Sequence, residues 1–411
     1  MKFALIGEKL GHSFSKIIHE SCGLSYDLIQ LKKEELVSFF SACSYDGFNV
    51  TIPYKKEVMK YLDAIDEKAQ LVGSVNTVVR KDGKFYGYNT DVFGLEYLIN
   101  KQNVTLAGKD VLILGSGGAS TTAVAVCKMQ KAKSYTVLSR SGELNYQNCY
   151  ERLNPQIIIN TTPVGMFPND EEMPVDLDRF SSIQAVFDLI YNPIRTNLVS
   201  SAKSKGIVAV GGLAMLTSQA LKSQEIWLNN EVTSSKIQQI TQSLAIQKNN
   251  LVLSGMAGCG KTTIGELLSR KLGLQFFDVD REIEKEHALT PAQIIERFGE
   301  KKFREIEEQT IKTLSSSGGK VISLGGGSVL LESNVKRLKR NGIIVYIKRD
   351  VEKLVDDDRP LSKKFGVKQL FESRKEIYNS TCDVSVENNC DIETAVKGVI
   401  GNYENSCYKW S

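Results

Sequence analysis

LVLSGMAGCGKTTIGELLSRKLG, residues 251–273, is the stretch on which the reading of this chain turns. LVLSG (251–255) is a short apolar run of strand type. GMAGCGKTT (255–263) follows, and IGELLSRKLG (264–273) has a helical pattern. Strand, glycine loop and helix in that order are the context in which G-x-x-x-x-G-K-[ST] binds phosphate. The backbone N–H groups of Ala257, Gly258, Cys259 and Gly260 are expected to face phosphate oxygens, with the positive end of a helix behind them. Lys261 is expected to reach the β- and γ-phosphates, and Thr262 to bind Mg²⁺. Residues 255–262 are thus expected to bind a nucleoside triphosphate, ATP before others.

Downstream, FDVDREIE (277–284) ends a strand with Asp278 and Asp280, which can hold a metal and accept a proton, or can simply be a solvated loop. GEKKFREIEE (299–308) places Arg304 and Glu307 one helical turn apart; read alone, this is a surface ion pair worth a few tenths of a kcal/mol. SLGGGSVL (323–330) sets three glycines directly after a strand, which suits close backbone approach. DDDRPLS (356–362) and ESRKEIY (372–378) supply Arg359 and Arg374.

In this order, over about residues 250–403, the pieces resemble shikimate kinase. The resemblance implies that Asp280 holds and deprotonates the attacking hydroxyl of shikimate. It implies that Arg304 and Arg374 clamp the carboxylate, where planar bidentate donors fit best. It implies Gly326 as a backbone donor to the substrate, Arg359 as the lid arginine over the transferring phosphoryl group, and Asp278 beside Thr262 at the metal. The approach to the lid, RDVEKLVDDDR (349–359), is short and acidic, where the resemblance implies a basic lid entry with an arginine near the adenine.

Upstream, VLILGSGGAST (111–121) gives a second strand, glycine turn and helix start, and YTVLS (135–139) follows about 20 residues on, the spacing of a Rossmann unit. The second strand ends in Ser139-Arg140-Ser141 rather than in Asp or Glu, which suits a 2′-phosphate and favours NADP over NAD. Three polar clusters precede this unit. GHSFSK (11–16) has Ser13 and Ser15 two apart, on one side of an extended segment. NVTIPYKK (49–56) sets Asn49, Thr51 and Lys55 near a strand end. YNTDVFG (88–94) sets Asp91 before a helix, where alone it reads equally well as an N-cap.

With V-N-T (75–77), N-T-T-P-x-G-M (160–166) and G-x-x-M-L-x-x-Q (212–219), this set resembles shikimate dehydrogenase from residue 1 to about 235. The resemblance implies Lys55 and Asp91 as the catalytic pair. It implies substrate contacts from Ser13, Ser15, Thr51, Asn76, Asp91, Tyr191 and Gln219. Cofactor contacts are implied for Gly115, Ser116, Gly117, Gly118, Ala119 and Ser120, and for Arg140, Thr161 and Gly212.

The expected fold class is α/β throughout. A substrate-binding domain covers 1–97, completed by helices from 214–240. A Rossmann NADP-binding domain covers 98–213, a polar linker 241–250, and a P-loop kinase domain with a parallel sheet 251–411. The sequence reads as a bifunctional enzyme: NADPH reduces 3-dehydroshikimate in the first half, and MgATP phosphorylates the resulting shikimate in the second. A quinate-type, NAD-using dehydrogenase and a shikimate-sensing kinase-like module remain open alternatives.

The 411 residues, 42% hydrophobic and 24% charged, are ordinary for globular protein. A net charge of +4 without a basic block argues against a nucleic-acid partner. Eight cysteines without a C-x-x-C pair, with three histidines, argue for reduced thiols rather than zinc or a disulfide framework. MKFALIGEKLGHS has too short an apolar run for a signal peptide, and the uncharged stretch Val111–Cys127 is interrupted by GSGGAS, so no membrane partner and a cytoplasmic location are expected. Monomer and homodimer are both compatible with the sequence.

Overall fold

The computed structural model describes residues 1–10, 14–354 and 366–410; Ser13 and Arg359 lie outside them. The chain divides into two compact units, one of Met1–Tyr191 with Thr196–Thr241, the other of Asn192–Arg195 with Gln242–Ser411.

The first unit holds two sheets. One comprises β1 (Phe3–Gly7), β2 (Tyr26–Gln30), β3 (Gly47–Val50), β4 (Ala64–Ile65), β5 (Thr77–Lys81) and β6 (Lys84–Tyr88), in the order β2-β1-β3-β5-β6-β4. β1 runs parallel to β2 and β3, as alternating strands and helices imply. The expectation of parallel pairing fails further on, since β5 is antiparallel to both β3 and β6. Between β5 and β6 the reason is local: Asp82 and Gly83 both take positive φ (51° and 76°), the conformation a tight hairpin turn demands.

The other sheet comprises β7 (Asp110–Leu114), β8 (Ser134–Leu138), β9 (Ile157–Asn160), β10 (Ala185–Asp188) and β11 (Val208–Val210). Its order is β11-β10-β9-β7-β8, with every pair parallel. The order reverses at β7, and in such sheets ligands bind in the crevice at the carboxyl ends beside that reversal. Register sets Leu114, Asn160 and Asp188 side by side at those ends. Val111, Ile113, Ile157, Ile159 and Phe187 bury the sheet under helices Thr90–Lys101 and Gly118–Met129.

Helix Leu213–Leu228 packs on Thr90–Lys101 closely enough that a Cβ on Gly94 would lie 2.8 Å from the Met215 carbonyl. This close crossing brings Asp91 and Gln219 together. At the far end of the same helix, the Trp227 indole donates to the Val78 carbonyl at 2.9 Å.

Beneath this packing His19 is fully buried, stacked on Tyr26 with ring centres 4.2 Å apart. Burial, only partly offset by a hydrogen bond with Asn49, lowers its pKa to about 3. The unfolded chain, with a histidine near about 6.5, takes up the proton first. His19 therefore destabilises this unit as pH falls from about 6.5 towards 3, by about 2 kcal/mol near pH 5. Urea unfolding at neutral and acidic pH should show a smaller acid loss in His19→Gln than in wild type; identical losses would remove His19 from the account.

The second unit is a five-stranded parallel sheet of β12 (Asn250–Ser254), β13 (Gln275–Asp278), β14 (Lys320–Ser323), β15 (Gly342–Lys348) and β16 (Val384–Glu387), ordered β13-β14-β12-β15-β16. The phosphate loop leaves the central strand and enters helix Lys261–Leu272. The expected linker at 241–250 is not a loop: helix Ser234–Lys248 runs through it, and β12 begins at Asn250. Ile237, Ile240, Leu244 and Ala245 are buried, a narrow apolar stripe among glutamines that the composition conceals. Helix Pro291–Ser315 breaks at Gly299 (φ 84°), so the part carrying Arg304 and Glu307 takes its own direction.

All eight cysteines are free thiols. Among the described residues no helix is long and apolar enough to cross a membrane.

Candidate active sites

In the first unit a cavity of about 520 Å³ is lined by Ser15, Thr51, Lys55, Asn76, Asp91, Tyr191 and Gln219. Ala119 and Gly212 reach the same cavity. The Lys55 ammonium lies 2.6 Å from Asp91 Oδ2. Asp91 is not the cap of its helix. Asn89 is, accepting from the Asp91 N–H at 3.1 Å, which leaves the Asp91 carboxylate to Lys55 and Asn76. Ser15 opens helix Ser15–Ser21 rather than lying in an extended segment.

Backbone geometry fixes the amides. The Thr90 N–H donates to Asn76 Oδ1 at 2.8 Å, which turns the Asn76 amide NH₂ towards Asp91 Oδ1 at 2.9 Å. Gln219 Oε1 meets the Thr90 hydroxyl at 3.3 Å, and its NH₂ donates to the Leu216 carbonyl at 2.9 Å. Below them Asn49 donates to Ser223 at 2.9 Å and to the Asn76 carbonyl at 3.1 Å. The polar side of the cavity is therefore set before anything enters it.

The glycine loop reaches the same cavity through Ala119. Gly115 takes φ 98°, and a Cβ there would fall 2.8 Å from Thr162 Cγ2. A Cβ on Gly117 or Gly118 would meet nothing within 4 Å, and no side chain caps the helix that Gly117 opens. Uncapped N–H groups behind open space are what a pyrophosphate requires, so the residues present fit a dinucleotide. The Ser120 hydroxyl turns back to the Gly117 carbonyl, the Thr161 hydroxyl donates to the Leu114 carbonyl at 2.6 Å, and Arg140 is exposed just beyond β8. Thr122, Leu189 and Met215 also line the cavity, and the sequence reading assigns them no contact; each looks like ordinary core in a linear sequence.

In the second unit Gly255, Gly258 and Gly260 take positive φ (142°, 76° and 98°), the loop geometry that glycine permits. The Lys261 ammonium donates to the Gly255 and Met256 carbonyls at 2.9 and 2.8 Å. The Thr262 hydroxyl donates to Asp278 Oδ2 at 2.8 Å. Asp278 Oδ1 also accepts from the Asp280 N–H, so Asp278 is a helix cap and not solvated loop. Among the described residues no group of three or more His, Cys, Asp or Glu could hold a metal. A Mg²⁺ beside Thr262 and Asp278 would take its other ligands from phosphate and water, its usual habit.

The triple glycine meets the remaining residues. A Cβ on Gly325 would lie 3.1 Å from Asp280 Oδ1, and one on Gly327 would lie 2.3 Å from the Arg304 guanidinium. Arg374 donates to the Gly326 carbonyl at 3.1 Å, and the Tyr378 hydroxyl donates to the same oxygen. Arg304 donates to Glu307 at 2.7 Å. The surface-pair reading of these two is wrong: Glu307 is fully buried and also accepts from Ser328. Arg349 and Asn388 are further residues that the sequence reading misses. Asn388 donates to the Cys259 carbonyl at 2.8 Å, and Arg349 reaches within 3.8 Å of the space beside Gly260.

Comparison with known proteins matches both halves. Residues 5–78 match the profile of the shikimate dehydrogenase substrate binding domain, and residues 257–402 match that of shikimate kinase. The shikimate dehydrogenase (NADP(+)) of Clostridium perfringens is 37% identical over 265 residues, which cover 59% of this chain and 97% of that protein. A chorismate mutase/shikimate 5-dehydrogenase fusion protein from Clostridium acetobutylicum is 38% identical with a TM-score of 0.56, over 59% of this chain and 96% of that one. Shikimate 5-dehydrogenase of Thermus thermophilus, solved with NADP(H) and shikimate, is 26% identical with a TM-score of 0.53, over 59% of this chain and 98% of that one. The chain belongs to the shikimate dehydrogenase family and carries a shikimate kinase domain at residues 257–402.

Proposed function

We propose that this chain reduces 3-dehydroshikimate to shikimate with NADPH and then phosphorylates shikimate to shikimate 3-phosphate with MgATP. One observation carries the first half: the Lys55–Asp91 pair, the fixed amides of Asn76 and Gln219 and the start of the dinucleotide helix line a single cavity. NADPH, when bound, supplies the hydride. Lys55 gives a proton to the oxygen that gains charge as the carbonyl is reduced, and Asp91 aims the ammonium. Ser15, Thr51, Asn76, Tyr191 and Gln219 match a polyol in number and kind. Gly115–Ser120, Thr161 and Gly212 seat the dinucleotide, and Arg140 faces its 2′-phosphate.

In the second half Ala257–Thr262 cradle the triphosphate and Thr262 with Asp278 hold Mg²⁺. Asp280 orients and deprotonates the attacking hydroxyl. Arg304 and Arg374 grip the carboxylate, and the Gly326 N–H donates to the substrate from a loop that Tyr378 and Arg374 hold in place. Phosphoryl transfer needs little beyond such positioning and charge.

A single coupled assay tests both halves. Supplied with 3-dehydroshikimate, NADPH and ATP, the chain should form shikimate 3-phosphate and ADP. Preference for NADH and for the quinate-series substrate would overturn the first half. Shikimate binding without ADP release would leave the second half a sensor.

A further inference from the structure

Under the dinucleotide loop lies a carboxyl group to which the reaction gives no role. Asp188 ends β10 with no exposure to solvent, and burial pushes its pKa up to about 6. Its Oδ1 accepts from the Asn160 amide at 2.9 Å and from the Ile190 N–H at 3.2 Å. Its Oδ2 accepts from the Thr196 hydroxyl at 2.6 Å. Every neighbour it bonds is a donor.

These bonds lead in two directions. On one side, Asn160 Oδ1 accepts from the Thr162 N–H at 3.0 Å and the Thr162 hydroxyl at 2.7 Å. A backbone N–H can meet only an oxygen there, so the Asn160 amide NH₂ must face Asp188. The Thr161–Thr162 turn held in this way abuts the glycine loop, with Thr162 Cγ2 and Thr161 Oγ1 2.8 and 3.0 Å from where a Gly115 Cβ would stand. On the other side, the Ile190 carbonyl accepts from the Gly212 N–H at 2.8 Å. The neighbouring Leu189 carbonyl would lie 2.2 Å from a Gly212 Cβ. Leu189 and Tyr191, on either side of Ile190, both line the cavity.

We propose that Asp188 is a positioning residue for the cofactor: it holds the Thr161–Thr162 turn against Gly115 and the Leu189–Tyr191 segment against Gly212, and so sets the wall that receives the dinucleotide. Alanine at 188 would leave three buried donors without an acceptor, a cost the turn escapes only by moving. Asparagine would keep an oxygen for Asn160 and Ile190, and the Thr196 hydroxyl can rotate to accept from its NH₂. The shape of the wall, rather than a charge, is what Asp188 maintains.

The inference rests on the reading that this loop seats NADP(H), and wild-type turnover with NADPH decides that reading separately. Steady-state kinetics on the full chain should show KM for NADPH raised on the order of ten- to a hundred-fold in Asp188→Ala, with a much smaller rise in KM for 3-dehydroshikimate through Tyr191 at the end of the held segment. Asp188→Asn should restore the NADPH KM. Thr162→Val, which removes one arm of the relay, should raise it in the same direction and by less; this variant and Asp188→Asn carry the test if Asp188→Ala does not fold. Asp188 has no positioning role if both KM values rise alike in Asp188→Ala, if Asp188→Asn fails to rescue, or if Thr162→Val leaves the NADPH KM unchanged while NADPH supports wild-type turnover.

Discussion

Replacing Lys55 with alanine is expected to lower kcat for carbonyl reduction by about a thousand-fold, near the middle of what a positioned proton donor contributes. Phosphorylation of added shikimate by the same chain should continue at the wild-type rate. The Lys55 side chain is 28% exposed and its ammonium is 2.6 Å from Asp91, so it is neither buried structure nor a free surface cation. It faces the cavity with its direction set, because Asn76 holds the other oxygen of Asp91. Removing it takes away a proton source and leaves Asp91 with the Asn76 amide alone. Lys55→Arg would keep the charge but not the ability to give up a proton, and should recover substrate KM without recovering kcat. A Lys55→Ala enzyme that kept about a tenth of its kcat would reduce Lys55 to a binding group. Loss of both activities in a folded chain would contradict the assignment of the two reactions to separate sites.

The division between what could and could not be read follows from the range of the interactions. Strands buried on both faces, such as LVLSG and VLILG, announce themselves as apolar runs. β2 and β6 do not, because YDLIQ and KFYGY leave most of their side chains partly or fully exposed and carry charges there. The helix through 241–248 was hidden because four apolar residues at helical spacing are diluted by polar ones. Motif residues were legible because their chemistry is clustered in short strings at strand ends. Roles decided by partners distant in sequence were not. Asn89 rather than Asp91 as the cap, Glu307 as a buried rather than a surface carboxylate, and Asp188 joined to Asn160 across 28 residues all depend on three-dimensional neighbours. Met215 became a lining residue only when two helices met at Gly94.

Replacing Lys261 with alanine should produce the converse of the Lys55 result: phosphoryl transfer lowered about a thousand-fold or more, with reduction untouched. Lys261 is 7% exposed, and its ammonium bonds two carbonyls of its own loop, at Gly255 and Met256. That anchorage keeps a full positive charge beside the N-terminus of helix Lys261–Leu272, where the loop N–H groups already favour anions. As its bond to phosphorus loosens, the leaving oxygen gains negative charge, so a cation fixed beside the β- and γ-phosphates acts on the transition state more than on bound ATP. The loss should therefore fall mainly on kcat, with a smaller rise in the KM for ATP. Lys261→Arg would not substitute, since the larger planar group cannot occupy the same turn without displacing Cys259, whose sulfur lies 3.9 Å from the ammonium. Measuring ADP release with shikimate and NADPH oxidation with 3-dehydroshikimate on one preparation decides the matter. Intact reduction beside lost phosphorylation is the expected result, and phosphorylation that survives Lys261→Ala would mean that residues 255–262 do not hold the transferred phosphate.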